Sequence, residues 1–122
     1  DGTFFSVSES EAGSYGKYVY KVILKGGLNL FDVNILSDCE SLIDAVGILT
    51  DTYYSEDEDG YHVNAQQLRD NSDSWSAIEN TDGAISWLES YDGIWLYEGG
   101  VRNLLLFSPV KEKIEKISQM GN

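Results

Sequence analysis

Residues 91–107 read YDGIWLYEGGVRNLLLF and contain two of the strands that the sequence predicts. Asp92-Gly93 is a turn signal, and the apolar and aromatic residues that start at Ile94 predict a strand. Glu98-Gly99-Gly100 predicts a tight turn, and a second strand is predicted for residues 101–107. The fold is therefore expected to include two apolar strands joined by a tight turn.

Short strands and helices are predicted before this pair. In residues 17–25, Tyr18, Tyr20, Val22 and Leu24 fall on one face of a predicted strand. Apolar residues follow helical spacing after the helix start at Ser37-Asp38. The predicted strands cover residues 3–7, 17–25 and 28–32. The predicted helices cover residues 8–15, 37–49, 63–69, 75–78 and 85–88.

The C-terminal part of the chain predicts a further helix. Ser108-Pro109 fits an N-cap followed by the first helical position, and Val110, Ile114 and Ile117 would lie on one side. With this helix, the 122 residues alternate between strands and helices and predict a single α+β domain over residues 1–122.

Acidic residues are concentrated in the middle of the chain. The net charge is −13, and residues 26–101 hold sixteen acidic residues and one basic residue, Arg69. Direct binding to nucleic-acid phosphates is therefore not expected. One hypothesis is an acidic face that binds a basic partner or mimics a nucleic acid. The alternative is a solvated acidic face without a partner.

Motifs of common catalytic and metal sites are missing from the sequence. One histidine, His62, and one cysteine, Cys39, are too few for the usual zinc sites. No apolar run reaches the roughly 18 residues of a membrane span, and no signal peptide is recognised. We therefore expect no metal site, no membrane partner, and a reduced Cys39 in a cytoplasmic protein.

Two segments resemble parts of the ADP-ribosyltransferase family. Gly2-Thr3-Phe4-Phe5-Ser6, followed by Tyr15-Gly16, is similar to the nicotinamide-pocket segment of the diphtheria-toxin-like branch, which includes the poly(ADP-ribose) polymerases. Tyr91-Asp92-Gly93-Ile94-Trp95, followed by residues 102–108, resembles the closing strands of the same fold. Small phage and bacterial proteins belong to this branch, and the resemblance covers about half of the chain.

The resemblance implies a split antiparallel β-sheet core with short helices, and NAD as a substrate. Tyr15 would stack on the nicotinamide, and Phe4 would occupy the other aromatic position. Gly2 would allow the backbone to approach the ligand closely. Gly2, Phe4, Ser6 and Tyr15 are therefore the expected cofactor-binding residues.

The resemblance also implies a catalytic carboxylate beside the ribose, where positive charge develops as the nicotinamide leaves. Alignment of the final strand places Asn103 at the position of the family's glutamate, and an amide cannot replace a carboxylate there. Glu98 is therefore the first candidate and Asp92 another. Ala12 replaces a serine that binds the carboxamide in many relatives. The family's first motif would lie upstream of the nicotinamide segment, which implies a domain truncated at its N-terminus.

Two functions follow as hypotheses. The first is an effector that uses NAD to mono-ADP-ribosylate a protein target, in the cytoplasm of a bacterial host if the gene belongs to a phage. The alternative is a non-enzymatic acidic inhibitor of the phage anti-defence type, which mimics nucleic acid and blocks a basic nucleic-acid-binding partner. A third interpretation is that the aromatic residues form a hydrophobic core and that the protein has no NAD site. These residues are Phe4, Phe5, Tyr18, Tyr20, Trp87 and Trp95.

Overall fold

The computed structural model describes residues 2–7, 19–51 and 61–120, and this part contains both strands and short helices. The α+β class is thereby confirmed. The strands are β1 (Gly2–Ser6), β2 (Tyr20–Leu24), β3 (Leu30–Asp32), β4 (Leu49–Asp51), β5 (Tyr61–Val63), β6 (Gly93–Glu98), β7 (Val101–Phe107) and β8 (Ile114–Gln119). The helices are α1 (Leu36–Val46), α2 (Ala65–Asp70), α3 (Ser74–Glu79) and α4 (Ala84–Leu88).

Within residues 2–7, 19–51 and 61–120, the main sheet has four strands in the order β1-β7-β6-β3. The two strands predicted around the turn at Gly99-Gly100 are confirmed as the antiparallel pair β6 and β7. β1 is antiparallel to β7, whereas β3 is parallel to β6. The sheet is therefore mixed, with β1 and β3 at its two edges.

Gly93 belongs to β6 and not to the turn that Asp92-Gly93 predicts. A Cβ atom at this buried position would lie 2.6 Å from the Leu105 carbonyl oxygen and 3.0 Å from a methyl group of Leu106. Real side chains do not approach a backbone so closely, and glycine is therefore required by the close packing of β6 against β7.

The core lies between one face of the sheet and the helices. Phe31, Ile94 and Leu105 are neighbours across three strands and are all buried. Each of the four described helices contributes fully buried side chains that cover these three residues. Together they form one hydrophobic cluster. These side chains are Cys39, Leu42, Leu68, Ala77, Ile78, Ala84 and Leu88.

The helix predicted from Ser37 onward is confirmed as α1, but it ends earlier than the spacing suggests. Gly47 has a φ of 87° and its N–H donates to the Ile43 carbonyl oxygen at 2.7 Å. A glycine with positive φ ends a helix because it turns the chain at little steric cost. Leu49, which fits the helical spacing, consequently lies in β4.

The remaining short helices agree with the sequence interpretation. α2 begins at a capping box, in which the Gln67 N–H donates to the Asn64 side chain at 2.8 Å and the Asn64 N–H donates to the Gln67 side chain at 2.9 Å. α3 and α4 are separated near Gly83, as predicted. Residues 8–15 and the acidic stretch 56–60 lie outside the described residues.

The predicted helix after Pro109 is wrong. A short 3-10 turn at Lys111–Lys113 leads directly into β8, which pairs antiparallel with β2. Ile114 and Ile117 lie opposite residues of β2 and not on one side of a helix. Cross-strand pairing with a distant segment outweighs the local helix signal here.

The pair β2 and β8, called the ribbon below, forms a separate two-stranded sheet among the described residues. Tyr20 belongs to it and is 54% exposed, so its prediction as a core residue is wrong. Lys113 connects the ribbon to the main sheet, since its buried ammonium group donates to the carbonyl oxygens of Phe107 at 2.6 Å and Asp92 at 2.9 Å.

No helix in the described part of the chain is long and apolar enough to cross a membrane.

Candidate functional site

The structure brings three of the candidate site residues together at one end of β7. Ser6 lies directly opposite Asn103 in the pairing of β1 with β7. The Asn103 side-chain amide donates to the Glu98 carboxylate at 3.4 Å across the β6–β7 turn. Ser6, Asn103 and Glu98 therefore form one polar group, called the hairpin-end site below.

Gly2 and Asp92 lie at the opposite end of β7. Gly2 pairs with Phe107, and the Phe107 N–H donates to the Asp92 carbonyl oxygen at 3.0 Å. Asn103 and Phe107 are four residues apart, which corresponds to about 13 Å along a strand. Asp92 therefore does not join Asn103 and Glu98 in one site.

The carboxylate and the backbone of Asp92 both form interactions that connect parts of the fold. Its carboxylate accepts the Asn29 N–H at 2.7 Å and lies 3.8 Å from the Lys113 ammonium group. Its backbone also exchanges a hydrogen bond with Asn29, whose carbonyl oxygen accepts the Asp92 N–H at 2.7 Å. Asp92 thus joins the starts of β3 and β6 to the ribbon.

The candidate aromatic and glycine positions are found on β1. The ring of Phe4 meets Trp75 of α3 edge to face with 5.3 Å between centroids, and Phe4 remains 44% exposed. A Cβ atom at Gly2 would lie 2.7 Å from the Leu106 carbonyl oxygen, so the close approach at Gly2 is to the backbone of β7. Tyr15 lies outside the described residues.

A polar cluster on the other face of the sheet was not recognised from the sequence. The Arg102 guanidinium pairs with the Asp32 carboxylate at 3.2 Å and lies over the Trp95 ring, 4.6 Å from its centroid. The Asn34 amide donates to the Tyr97 hydroxyl at 3.2 Å, and this bond, followed by one from Arg102, lowers the pKa of Tyr97. Only the strand order β3-β6-β7 brings these residues together, and no local pattern indicates it.

Cys39 is a core residue and not a nucleophile. Its thiol is fully buried and donates to the Val33 carbonyl oxygen at 3.2 Å. Burial, followed by the charge of Asp38, raises the pKa of Cys39 to about 12. The thiol is therefore neutral at neutral pH, and a neutral thiol is a poor nucleophile and metal ligand.

Exposed carboxylates lie on the helices that cover the sheet and in the turns next to them. We call them the acidic layer. They are Glu40, Asp44, Asp70, Glu79, Asp82 and Glu89.

Most of the acidic layer has no counter-ion in the part of the chain that the structure describes. Asp70 pairs with Arg69 at 3.1 Å. Within the residues described, no lysine or arginine lies within 4.0 Å of the other five carboxylates. Glu40 and Asp44 are one turn apart on the exposed side of α1, where like charges repel. The same part of the chain contains no group of three or more potential metal ligands.

Comparison with known proteins adds no relative to these observations. No family model matches the chain, and neither a curated protein nor a solved structure matches it. The function is therefore inferred from the side chains of this chain and their surroundings.

Proposed function

We propose that the protein is a non-enzymatic binding protein, and that its acidic layer docks on the basic, nucleic-acid-binding surface of a partner protein. The observation that carries this proposal is the set of five exposed carboxylates without a counter-ion among the described residues. Unpaired carboxylates on one layer produce a negative potential, which attracts a basic surface and orients it during the encounter. Phosphates present a similar array of negative charges, which is the basis of nucleic-acid mimicry.

One pair of residues in the acidic layer opposes stability. Glu40 and Asp44 repel each other by about 0.2–0.5 kcal/mol, as like charges one helical turn apart do. Surfaces that only need solubility usually mix both signs of charge. The uncompensated charge therefore supports a role in binding.

Neutralising the acidic layer is expected to abolish binding and preserve the fold. The variant carries Glu40→Gln, Asp44→Asn, Glu79→Gln, Asp82→Asn and Glu89→Gln. Proteins that bind the immobilised wild-type chain at low salt are identified, and those with nucleic-acid-binding surfaces are purified. For such a partner we expect the variant to bind at least about tenfold more weakly, because charge complementarity is lost. Urea denaturation should show unchanged or higher stability.

The control variant Glu112→Gln/Glu115→Gln removes two exposed carboxylates outside the acidic layer. It should bind almost as tightly as the wild-type chain. Binding to the partner should also weaken between about 50 and 300 mM salt, and a nucleic acid should compete for the partner. Equal affinity of the neutralised and wild-type chains, or no competition by nucleic acid, would contradict the proposal.

A second candidate function is NAD-dependent ADP-ribosyl transfer to a protein target. The hairpin-end site favours this function, because Glu98 and Asn103 lie next to Ser6. Ser6 and Phe4, two of the expected NAD-binding residues, are both in β1. The Glu98 carboxylate would offset the positive charge that develops on the ribose as the nicotinamide leaves. Asn103 would orient that carboxylate. An ADP-ribosyltransferase-like arrangement of the sheet is part of this second proposal.

NAD binding and nicotinamide release test the second candidate. Glu98→Gln should lower nicotinamide release at least about tenfold, because the charge that stabilises the transition state is lost. NAD affinity, measured by calorimetry, should change little in this variant. Tyr15→Ala should weaken NAD binding, and Glu112→Gln serves as the control. Absence of NAD binding, both by this chain and by a version extended upstream, would exclude this activity.

A further inference from the structure

The two faces of the ribbon differ in character. Directly opposite residues of an antiparallel pair point to the same face. Lys21 lies opposite Ser118, and Ile23 lies opposite Lys116, so one face carries two lysines and an isoleucine. We call this the basic face.

The other face of the ribbon has no charged residue in its paired positions and is called the apolar face. The exposed Glu115 of β8 lies outside the paired positions, at the register shift between the pairs of Ile23 and Leu24. Val22 lies opposite Ile117, and Tyr20 lies opposite Gln119. Both faces expose apolar side chains, since Ile23 is 41% exposed on the basic face and Tyr20 and Ile117 are 54% and 56% exposed on the apolar face. An isolated two-stranded sheet is at best marginally stable in water, so the ribbon would gain stability from a further strand.

The lysines of the ribbon have no carboxylate partner among the described residues. Lys21 and Lys116 are exposed, and no carboxylate among the described residues lies within 4.0 Å of either ammonium group. They are diagonal neighbours on the basic face, about 7–8 Å apart. The basic face is therefore opposite in charge to the acidic layer.

The ribbon also has edges that another strand can join. Its sheet consists of β2 and β8 only in the described part of the chain. Each of these strands therefore has an outer edge with backbone N–H and carbonyl groups that face no third strand there. Such edges bind extended peptides by strand addition, in which main-chain hydrogen bonds give affinity and alternate side chains give specificity.

We propose that the ribbon binds an extended peptide segment of a partner protein, with alternating acidic and apolar side chains, as a third strand. In an added strand the side chains alternate between the two faces. The acidic side chains would meet Lys21 and Lys116 on the basic face. The apolar ones would continue the apolar face beside Tyr20 and Ile117. This binding site is independent of the acidic layer and of the hairpin-end site.

A narrow peptide fits these charges better than an anionic membrane does. A strand of five residues spans roughly 17 Å, so a peptide on the ribbon meets the ribbon alone. A membrane surface is wide and would also meet the field of a protein with a net charge of −13, which would repel it. The charge distribution therefore favours the peptide.

A fluorescent peptide in which glutamate and valine alternate is the probe, and its binding is measured by anisotropy. We expect Lys21→Gln/Lys116→Gln to weaken binding at least about tenfold, because both charge pairs are lost. Lys111→Gln, which removes an exposed lysine outside the strands, should change it less than about twofold. A peptide with lysine in place of glutamate should not bind. Amide NMR spectra show whether each variant keeps the ribbon folded.

The backbone contribution is tested with the same peptide methylated at alternate backbone nitrogens along one edge and then the other. Methylation of the edge that pairs with the ribbon should abolish binding, since it removes the donors of the added strand. Equal binding of both methylated peptides would overturn strand addition. No binding of the acidic peptide, equal binding to the double lysine variant, or binding of the wild-type chain to phosphatidylserine vesicles but not to the peptide would overturn the proposal.

Discussion

Replacement of Phe31 by alanine is expected to lower the free energy of unfolding by about 3–5 kcal/mol. Phe31 is fully buried in β3, and its ring meets Trp87 and Tyr91 edge to face, with centroids 6.5 and 5.6 Å away. Removal of the ring loses this apolar contact and leaves a cavity between the sheet and the helices. Urea denaturation followed by tryptophan fluorescence measures the loss.

Tyr20→Ala is the matched control for this large aromatic residue. Tyr20 is 54% exposed on the ribbon, so its replacement should cost less than about 1 kcal/mol. Similar losses for the two variants would contradict the description of the core. A loss below about 1 kcal/mol for Phe31→Ala would do the same.

Replacement of Lys113 by methionine is expected to cost about 2–5 kcal/mol. Its buried ammonium group donates to two carbonyl oxygens, those of Phe107 and Asp92, and a hydrogen bond from a charged group contributes about 1.5–3 kcal/mol. Methionine keeps an unbranched apolar chain and removes the donors together with the charge that lies 3.8 Å from the Asp92 carboxylate, so the loss reports the hydrogen bonds and this ion pair together. Urea denaturation again gives the free energy of unfolding.

The control for Lys113 is Lys111→Met, two residues earlier and exposed. It should change stability by less than about 0.5 kcal/mol. Amide hydrogen exchange provides a second readout, because Lys113 connects the ribbon to the main sheet. Exchange in β2 and β8 should accelerate more in Lys113→Met than exchange in β6. A variant as stable as the wild type, with unchanged exchange in the ribbon, would show that Lys113 is not the connection.

Elements with local signals could be predicted from the sequence. The β6–β7 pair is joined by Gly99-Gly100, and both strands are apolar runs, so turn and strands are encoded next to each other. α2 is similar, because its start is marked by a capping box between Asn64 and Gln67. In such elements the interacting residues lie within a few positions of one another.

Elements that depend on distant partners could not be predicted. β8 follows a Ser108-Pro109 pair that favours a helix, and only its pairing with β2 makes it a strand. Tyr20 alternates as a strand residue should. Alternation does not reveal that its sheet has two strands in the described part of the chain and leaves the side chain exposed.

The contacts of the candidate site also differ in whether the sequence could predict them. Glu98 and Asn103 flank one turn, so their proximity could be foreseen from the predicted strands. The neighbour of Asn103 across the strand, Ser6, comes from the other end of the chain. The ion pair of Arg102 with Asp32 requires β3 to lie parallel beside β6, which no local pattern indicates.

The order of strands in the main sheet has a consequence for synthesis of the protein. A ribosome releases β1 and β3 long before their described neighbours β7 and β6. The complete sheet can therefore assemble only after residue 107 has left the ribosome, whereas α1 can form earlier because its backbone hydrogen bonds are local. A chain interrupted before β7 would leave β1 without its described partner, a state prone to aggregation.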